Sequence, residues 1–200
     1  MIFNDFLCHH GVKGMKWGVR KDRSSGKRVF VSGSSKTQTD DPSNPFYRPN
    51  LDKRITDELD ARIKKGDRFL VGEAPGIDRQ VQDYLKSKDY KRVTVYSSGN
   101  EARYLANPKW RQKHINAEQY EKGSKEWLAE KDKAMSRDAT EGIAVTIEGG
   151  AKATRKNVER LLNDNKKVRV FEIRKDKSLD TWFDDRELLE IYLMELVEKK

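Results

Sequence analysis

Between Arg28 and Ile173 the chain alternates short apolar runs with amphipathic stretches. The runs "RVFVSG" (Arg28 to Gly33), "RFLV", "RVTVY" (Arg92 to Tyr96), "GIAVTI" (Gly142 to Ile147) and "KVRVFEI" (Lys167 to Ile173) are rich in β-branched and aromatic residues. None has a polar face of its own, which predicts five strands buried on both sides. Between the first two runs, Leu51, Ile55, Leu59 and Ile63 recur every four residues and Gly66 follows as a stop, predicting a helix. A second helix is predicted from about Ile77 to Ser87, with Ile77, Val81, Tyr84 and Leu85 on one face. "KEWLAEKDKAMSRDA" brings Trp127, Leu128, Lys131, Ala134 and Met135 near one side of a third, and "TRKNVERLLND" reads as a fourth. Strands alternating with helices in this way predict an α/β fold: a Rossmann-like, doubly wound, mainly parallel five-stranded sheet with helices on both faces.

Three segments escape that alternation. Residues 1–27 are Gly- and Lys-rich without periodicity and read as a basic flexible tail, leaving a domain over 28–175. The stretch from Ser97 to Tyr120 is polar, yet holds Arg103, Tyr104, Trp110, Arg111 and His114. It suits either a lid that stacks on a base and pairs with phosphate or a surface excursion whose aromatics pack on the domain. Residues 176–200 end in an amphipathic helix with Leu188, Leu189, Tyr192, Leu193 and Leu196 on one stripe, fitted to pack on the domain edge or on a second copy in a homo-oligomer.

Composition narrows the class. With 35% hydrophobic and 38% charged residues in 200, no window approaches the roughly 20 apolar residues of a spanning helix, so no membrane partner is expected. The start lacks the pattern of a secretory signal, which makes the cytoplasm of the host cell the expected location. Cys8 has no partner for an internal disulfide. Cys8, His9 and His10 are consecutive rather than spaced as ligand pairs, so neither metal nor other cofactor is expected. The net charge of +9 is uneven: residues 1–27 carry an excess of cations, whereas from Ser178 onward seven acids outnumber Arg186, Lys199 and Lys200. That balance attracts polyanions in general, but no Lys/Arg run is interleaved with aromatics as single-strand binders require, so nucleic acid is the less favoured partner.

The candidate chemistry sits in three loops that leave strand ends. "VSGSSK" offers Ser32, Gly33, Ser34 and Ser35, small residues whose N–H groups and hydroxyls can surround a phosphate. "GEAPGID" hands a strand to a helix through Gly72, Glu73, Gly76, Ile77 and Asp78, with Arg79 next. Asp78 in the first helical turn suits either a ribose hydroxyl or an ordinary helix-start acid. "EGGAKATRKN" places Gly149 and Gly150 after a strand, with Thr154 and Asn157 near the next helix entry. In a doubly wound sheet all three share the carboxyl edge, where ligands bind.

Over about Arg28 to Ile173, "VSGSS", "LVGEAPGID" followed by "VQDYL", and "DATEGIAVTIEGGAKATRKNVERLLNDNKKVRVFEI" resemble the SLOG superfamily, named for the Smf/DprA and LOG proteins. The most specific element is Gly72 to Asp78, similar to the "SGxAxGID" loop of the DprA branch. The resemblance implies a Rossmann-like domain for nucleotides or nucleotide-derived ligands, including antiphage-defence signals. Some branches cleave N-glycosidic bonds. The LOG pattern "PGGxGTxxE" meets a departure here: Thr154 fits, Ala153 replaces glycine, and Asn157 stands at the glutamate. An amide is neither nucleophile nor base, which favours binding over turnover, although Glu73, Asp78 and Glu148 remain as carboxylates. "HHGVKGMKWGVR" (His9 to Arg20) resembles a segment of tailed-phage virion-associated proteins and implies a phage product carried with the particle. The leading expectation is a phage-encoded binder of a nucleotide-derived small molecule that sequesters a host defence signal. The alternatives are a nucleotide N-glycosidase or phosphoribohydrolase and a DprA-like DNA-associated protein.

Overall fold

The computed structural model describes residues 26–37, 43–176, 178–182 and 186–198. Among these residues there are seven strands, β1 (Arg28–Gly33), β2 (Arg68–Val71), β3 (Val93–Ser98), β4 (Arg111–Ile115), β5 (Glu141–Ile147), β6 (Lys167–Ile173) and β7 (Leu179–Trp182). They form one sheet in the order β4-β3-β2-β1-β5-β6-β7. The first six are parallel, and β7 runs antiparallel to β6 at the edge. The expected parallel sheet is present, with six parallel strands rather than five. β4 comes from the polar stretch after β3, and β7 precedes the last helix.

Alternation within the strands divides the core in two. Val29 and Val31 of β1, with Phe69 and Val71 of β2, pack against α1 (Lys53–Lys65) and α2 (Ile77–Ser87) through Ile55, Leu59, Ile77, Val81 and Leu85. Phe30, Leu70 and Tyr96 point the other way, toward Met135 of α3 (Lys125–Asp138) and Leu161 of α4 (Lys152–Asn163). A side chain buried as fully as Leu59 contributes roughly 1.5–3 kcal/mol. Helix ends follow local chemistry: Asp52 accepts from Arg54 N at 2.9 Å to start α1, and Gly66 closes it at φ 73°. Leu189 of α5 (Arg186–Glu198) is buried in the second core, while Ile191 and Met194 are exposed. The expectation for Leu188, Tyr192 and Leu196 lies outside the described side chains.

The connection from β3 to β4, residues 99–110, contains no helix, although it joins two parallel strands. It is held by packing instead. Ala106 and Trp110 enter the first core, and the Trp110 indole N–H donates to Tyr90 O at 2.8 Å. Trp110 is therefore a core residue, which answers the sequence alternatives for this aromatic in favour of packing on the domain. At the start of β1, Lys27 N donates to Asp67 Oδ1 at 2.8 Å, so the end of the expected tail is tied to the domain. The rest of that tail, with Cys8, His9, His10 and Trp17, lies outside the described residues. Among the described residues no helix is long and apolar enough to cross a membrane, and no cluster of His, Cys, Asp or Glu could hold a metal ion.

Candidate functional site

The sheet order reverses between β1 and β5: β2, β3 and β4 build outward on one side, β5 and β6 on the other. Loops leaving neighbouring strands diverge there and open the crevice that doubly wound folds use for ligands. The loops after β1, β2 and β5 are the three singled out from the sequence.

Glycine allows them to close on one another. A Cβ at Gly33 would overlap the Ile77 side chain, and one at Gly76 would overlap Ser34 O and reach Ser35 Cα at 2.6 Å. Gly76 also has φ 83°, which favours glycine on backbone grounds alone. The fit is locked by Ile77 N donating to Ser34 O at 3.2 Å and Ser34 N donating to Val145 O at 3.0 Å. Ile77 is thus part of the core beneath the loops. Ser34 Oγ accepts from Lys36 N at 3.2 Å, shaping the short 3-10 turn Ser35–Thr37. After β5, Gly149 and Gly150 take φ 80° and 76°, and Gly150 N donates to Ile147 O at 2.7 Å. Nothing lies within 4 Å of a Cβ built at Gly149, so its turn conformation, rather than crowding, calls for glycine.

α2 and α4 begin at this edge, from Gly76 and Ala151, and neither start carries a side-chain cap. Ile77 N at the start of α2 is taken by Ser34 O, but the other first-turn N–H groups and the positive dipole ends of the two helices suit an anion. α3, by contrast, starts beside the turn after β3, where a Cβ at Gly99 would meet Trp127, and is capped by Ser124, whose Oγ accepts from Trp127 N at 3.1 Å. Thr154 is buried in the first turn of α4.

Behind the loops runs a polar chain that sequence reasoning did not assemble. Asn157 Nδ2 donates to Ser32 Oγ at 2.8 Å and to Asp132 Oδ2 at 3.2 Å, and its Oδ1 accepts from Arg160. Asp132 Oδ1 pairs with Lys131 Nζ at 3.1 Å. The Lys131 ammonium and the Asp78 carboxylate crowd over Gly72, where any Cβ would meet both. Asp78 Oδ2 also accepts from Ala74 N at 3.3 Å. Burial pushes the Asp78 carboxyl up to about 6, against the pull of Lys131 and with a further push from Asp132. Burial disfavours the Lys131 ammonium, but Asp132 and Asp78 outweigh it and hold its pKa above the ordinary value. The signal for Lys131 was a lysine on the apolar stripe of α3. Its partners come from elements far away in sequence.

The other expected residues serve the frame around the site. Glu73, 1% exposed, accepts from Ser98 N at 2.9 Å and Arg103 N at 2.7 Å, pinning both ends of the turn after β3. The Arg103 guanidinium approaches the same carboxylate at 3.4 Å. Arg79 lies over the Tyr104 ring at 4.4 Å, toward the crossover. Glu148 accepts from Lys175 N at 2.9 Å, beyond β6. Ser98 Oγ, buried at the carboxyl end of β3, has no hydrogen-bond partner among the described residues. Two cavities, of about 250 and 340 Å³, open at the opposite, amino edge of the sheet.

Residues 2–24 match the model of a family of unknown function (DUF7211). The match covers the basic tail and stops before β1. No curated protein and no solved structure matches the chain.

Proposed function

We propose that the domain binds a nucleotide-derived small molecule at the crevice between β1 and β5 and holds it without turnover. The observation that carries this reading is the pairing of two helix starts that no side chain caps, α2 and α4, with Gly- and Ser-rich loops at the point where the strand order reverses. Phosphate would sit against the first turns of these helices. Ser34, Ser35 and the N–H groups of residues 152–154, which precede the first helical bond of α4 from Arg155 N to Ala151 O, are the nearest small polar groups. The resemblance to the SLOG superfamily points to the same ligand class.

Binding rather than hydrolysis is favoured by how the acids are engaged. Asn157 holds Ser32 and Asp132 and has no carboxylate to offer an anomeric carbon. Glu73 accepts two backbone N–H bonds, Glu148 faces Lys175, and Asp78 lies under Gly72 beside Lys131. A protein of this kind carried by a phage would lower the free concentration of a host defence signal by sequestration alone. The test is mass spectrometry of the small molecule released on denaturing the protein after exposure to a panel of nucleotides and cyclic nucleotides. An intact ligand is expected. Lys152→Glu, an exposed change in the first turn of α4, should weaken its binding about tenfold by placing negative charge at the phosphate end. Recovery of free base and sugar phosphate would overturn the reading in favour of an N-glycosidic hydrolase. Recovery of no ligand from the whole panel would remove both.

A further inference from the structure

The cavity of about 250 Å³ at the amino edge is lined by Arg28, Arg68, Arg111, Lys113, Arg137 and Asp138, among others. Register explains why the cations converge. Arg28 of β1 and Arg68 of β2 are direct partners, and Arg111 and Lys113 of β4 stand opposite Thr94 and Tyr96. Strand alternation puts all four on the face that carries Phe30, Leu70 and Tyr96. Arg137 is supplied by the end of α3.

Five cations here face one carboxylate, and that carboxylate is already engaged. Asp138 accepts from the Tyr96 hydroxyl at 2.7 Å, pairs with Lys113, and meets Arg137 at 3.4 Å. Arg28 donates to the Asp138 carbonyl at the end of α3. Arg68 and Arg111 have no ion pair with any acid among the described residues. Even with the roughly half negative charge of a helix C-terminus added to Asp138, about 3.5 positive charges remain unmatched. Like charges on paired strands cost stability, so a chain that gains nothing from the cluster would not benefit from keeping it.

We propose that this cavity is a second binding site, for a short run of phosphate groups. A terminal phosphate carries about 1.5 to 2 negative charges and a linked one about 1, so a run of roughly two to four balances the excess. Arginine forks recognise phosphate oxygens in pairs, whereas a single small anion would leave most of the charge uncompensated. The volume falls below the ~300 Å³ at which pockets for drug-sized molecules begin, which fits phosphates entering without their bases or sugars. The phosphates could belong to a free polyphosphate or to a nucleic-acid backbone, and the chemistry recognised is the same.

The test is calorimetric titration of the full chain with inorganic tripolyphosphate and, separately, with a short single-stranded oligonucleotide. Binding of at least one is expected, with affinity about tenfold or more weaker in Arg68→Gln/Arg111→Gln. Tighter binding of tripolyphosphate would identify a free phosphate chain. Tighter binding of the oligonucleotide, falling steeply with salt, would identify a nucleic-acid backbone. The double variant should melt no lower than the parent in the absence of anion, because it relieves repulsion, and should still bind any ligand held at the carboxyl edge. If it melts lower, Arg137→Gln, on the exposed end of α3, replaces it. Failure of both anions to bind, or equal binding by parent and variant, would overturn the proposal.

Discussion

The amino edge of the sheet has two sides, and they treat positive charge in opposite ways. On the α1 side, Arg62 is surrounded by acids: Glu58 at 2.8 Å, Asp67 at 3.4 Å, and Glu141. Lys27 also pairs with Glu141, and Arg169 with Glu58. Burial disfavours charge in this group, yet the contacts reverse it, raising the Arg62 pKa and lowering that of Glu141. On the α3 side, a similar set of cations has only Asp138. The same chain, at the same level of the same sheet, can neutralise its cations internally. An excess left open nearby therefore marks a surface whose counter-charge comes from outside.

The comparison is broken most severely by Arg62→Met. Three buried acids, Glu58, Asp67 and Glu141, would lose their main cation, and removing one member of such a network costs about 3–5 kcal/mol. Urea unfolding should show that loss, whereas a loss below about 1 kcal/mol would mean the network is solvated. The carboxyl edge supplies the next effect. Asp78 has its pKa raised to about 6, so the folded state takes up a proton more readily than the unfolded chain. Its contribution is fully present below the unfolded value near 4 and is lost as pH rises through 6. Asp78→Asn should remove about 1.4 kcal/mol of the stability difference between pH 5 and pH 8, read from unfolding curves at the two values. The smallest effect is the most discriminating. Arg68→Gln should stabilise the anion-free protein by about 0.2–1 kcal/mol at low ionic strength, with the gain fading as salt screens the cluster. The opposite sign from Arg62→Met, at the same sheet edge, would confirm that the two sides differ in charge balance.

How much of this was legible depended on whether a residue's role is local. The helix over Lys53–Lys65 and its Gly66 stop follow from a four-residue repeat and one glycine. The second helix has the expected bounds, because Gly76 and Asp78 punctuate its start. β4 was not legible, since "RQKHI" is an edge strand whose exposed positions are charged or polar and whose apolar content is one isoleucine. β7 is four residues long and lies on the other edge. The three loops could be read, because glycine and serine at strand ends mark backbone geometry. The chain Ser32–Asn157–Asp132–Lys131 could not, because periodicity gives the face a residue occupies and never the partner it meets across the fold.

The helix-free crossover over residues 99–110 has a kinetic consequence. β4 has no helix between it and β3 to guide it onto its partner strand, and its first anchor points are Glu73 and Gln82, which bind Ser98, Arg103 and Ala106 from the loop after β2 and from α2. Docking of β4 should therefore come late, after the β2–α2–β3 unit has formed. The phosphate cavity, which takes Arg111 and Lys113 from β4, exists only once that step is complete. Its occupancy would act as a latch, slowing hydrogen exchange along β4 and leaving the β1–β5 pairing at its original rate.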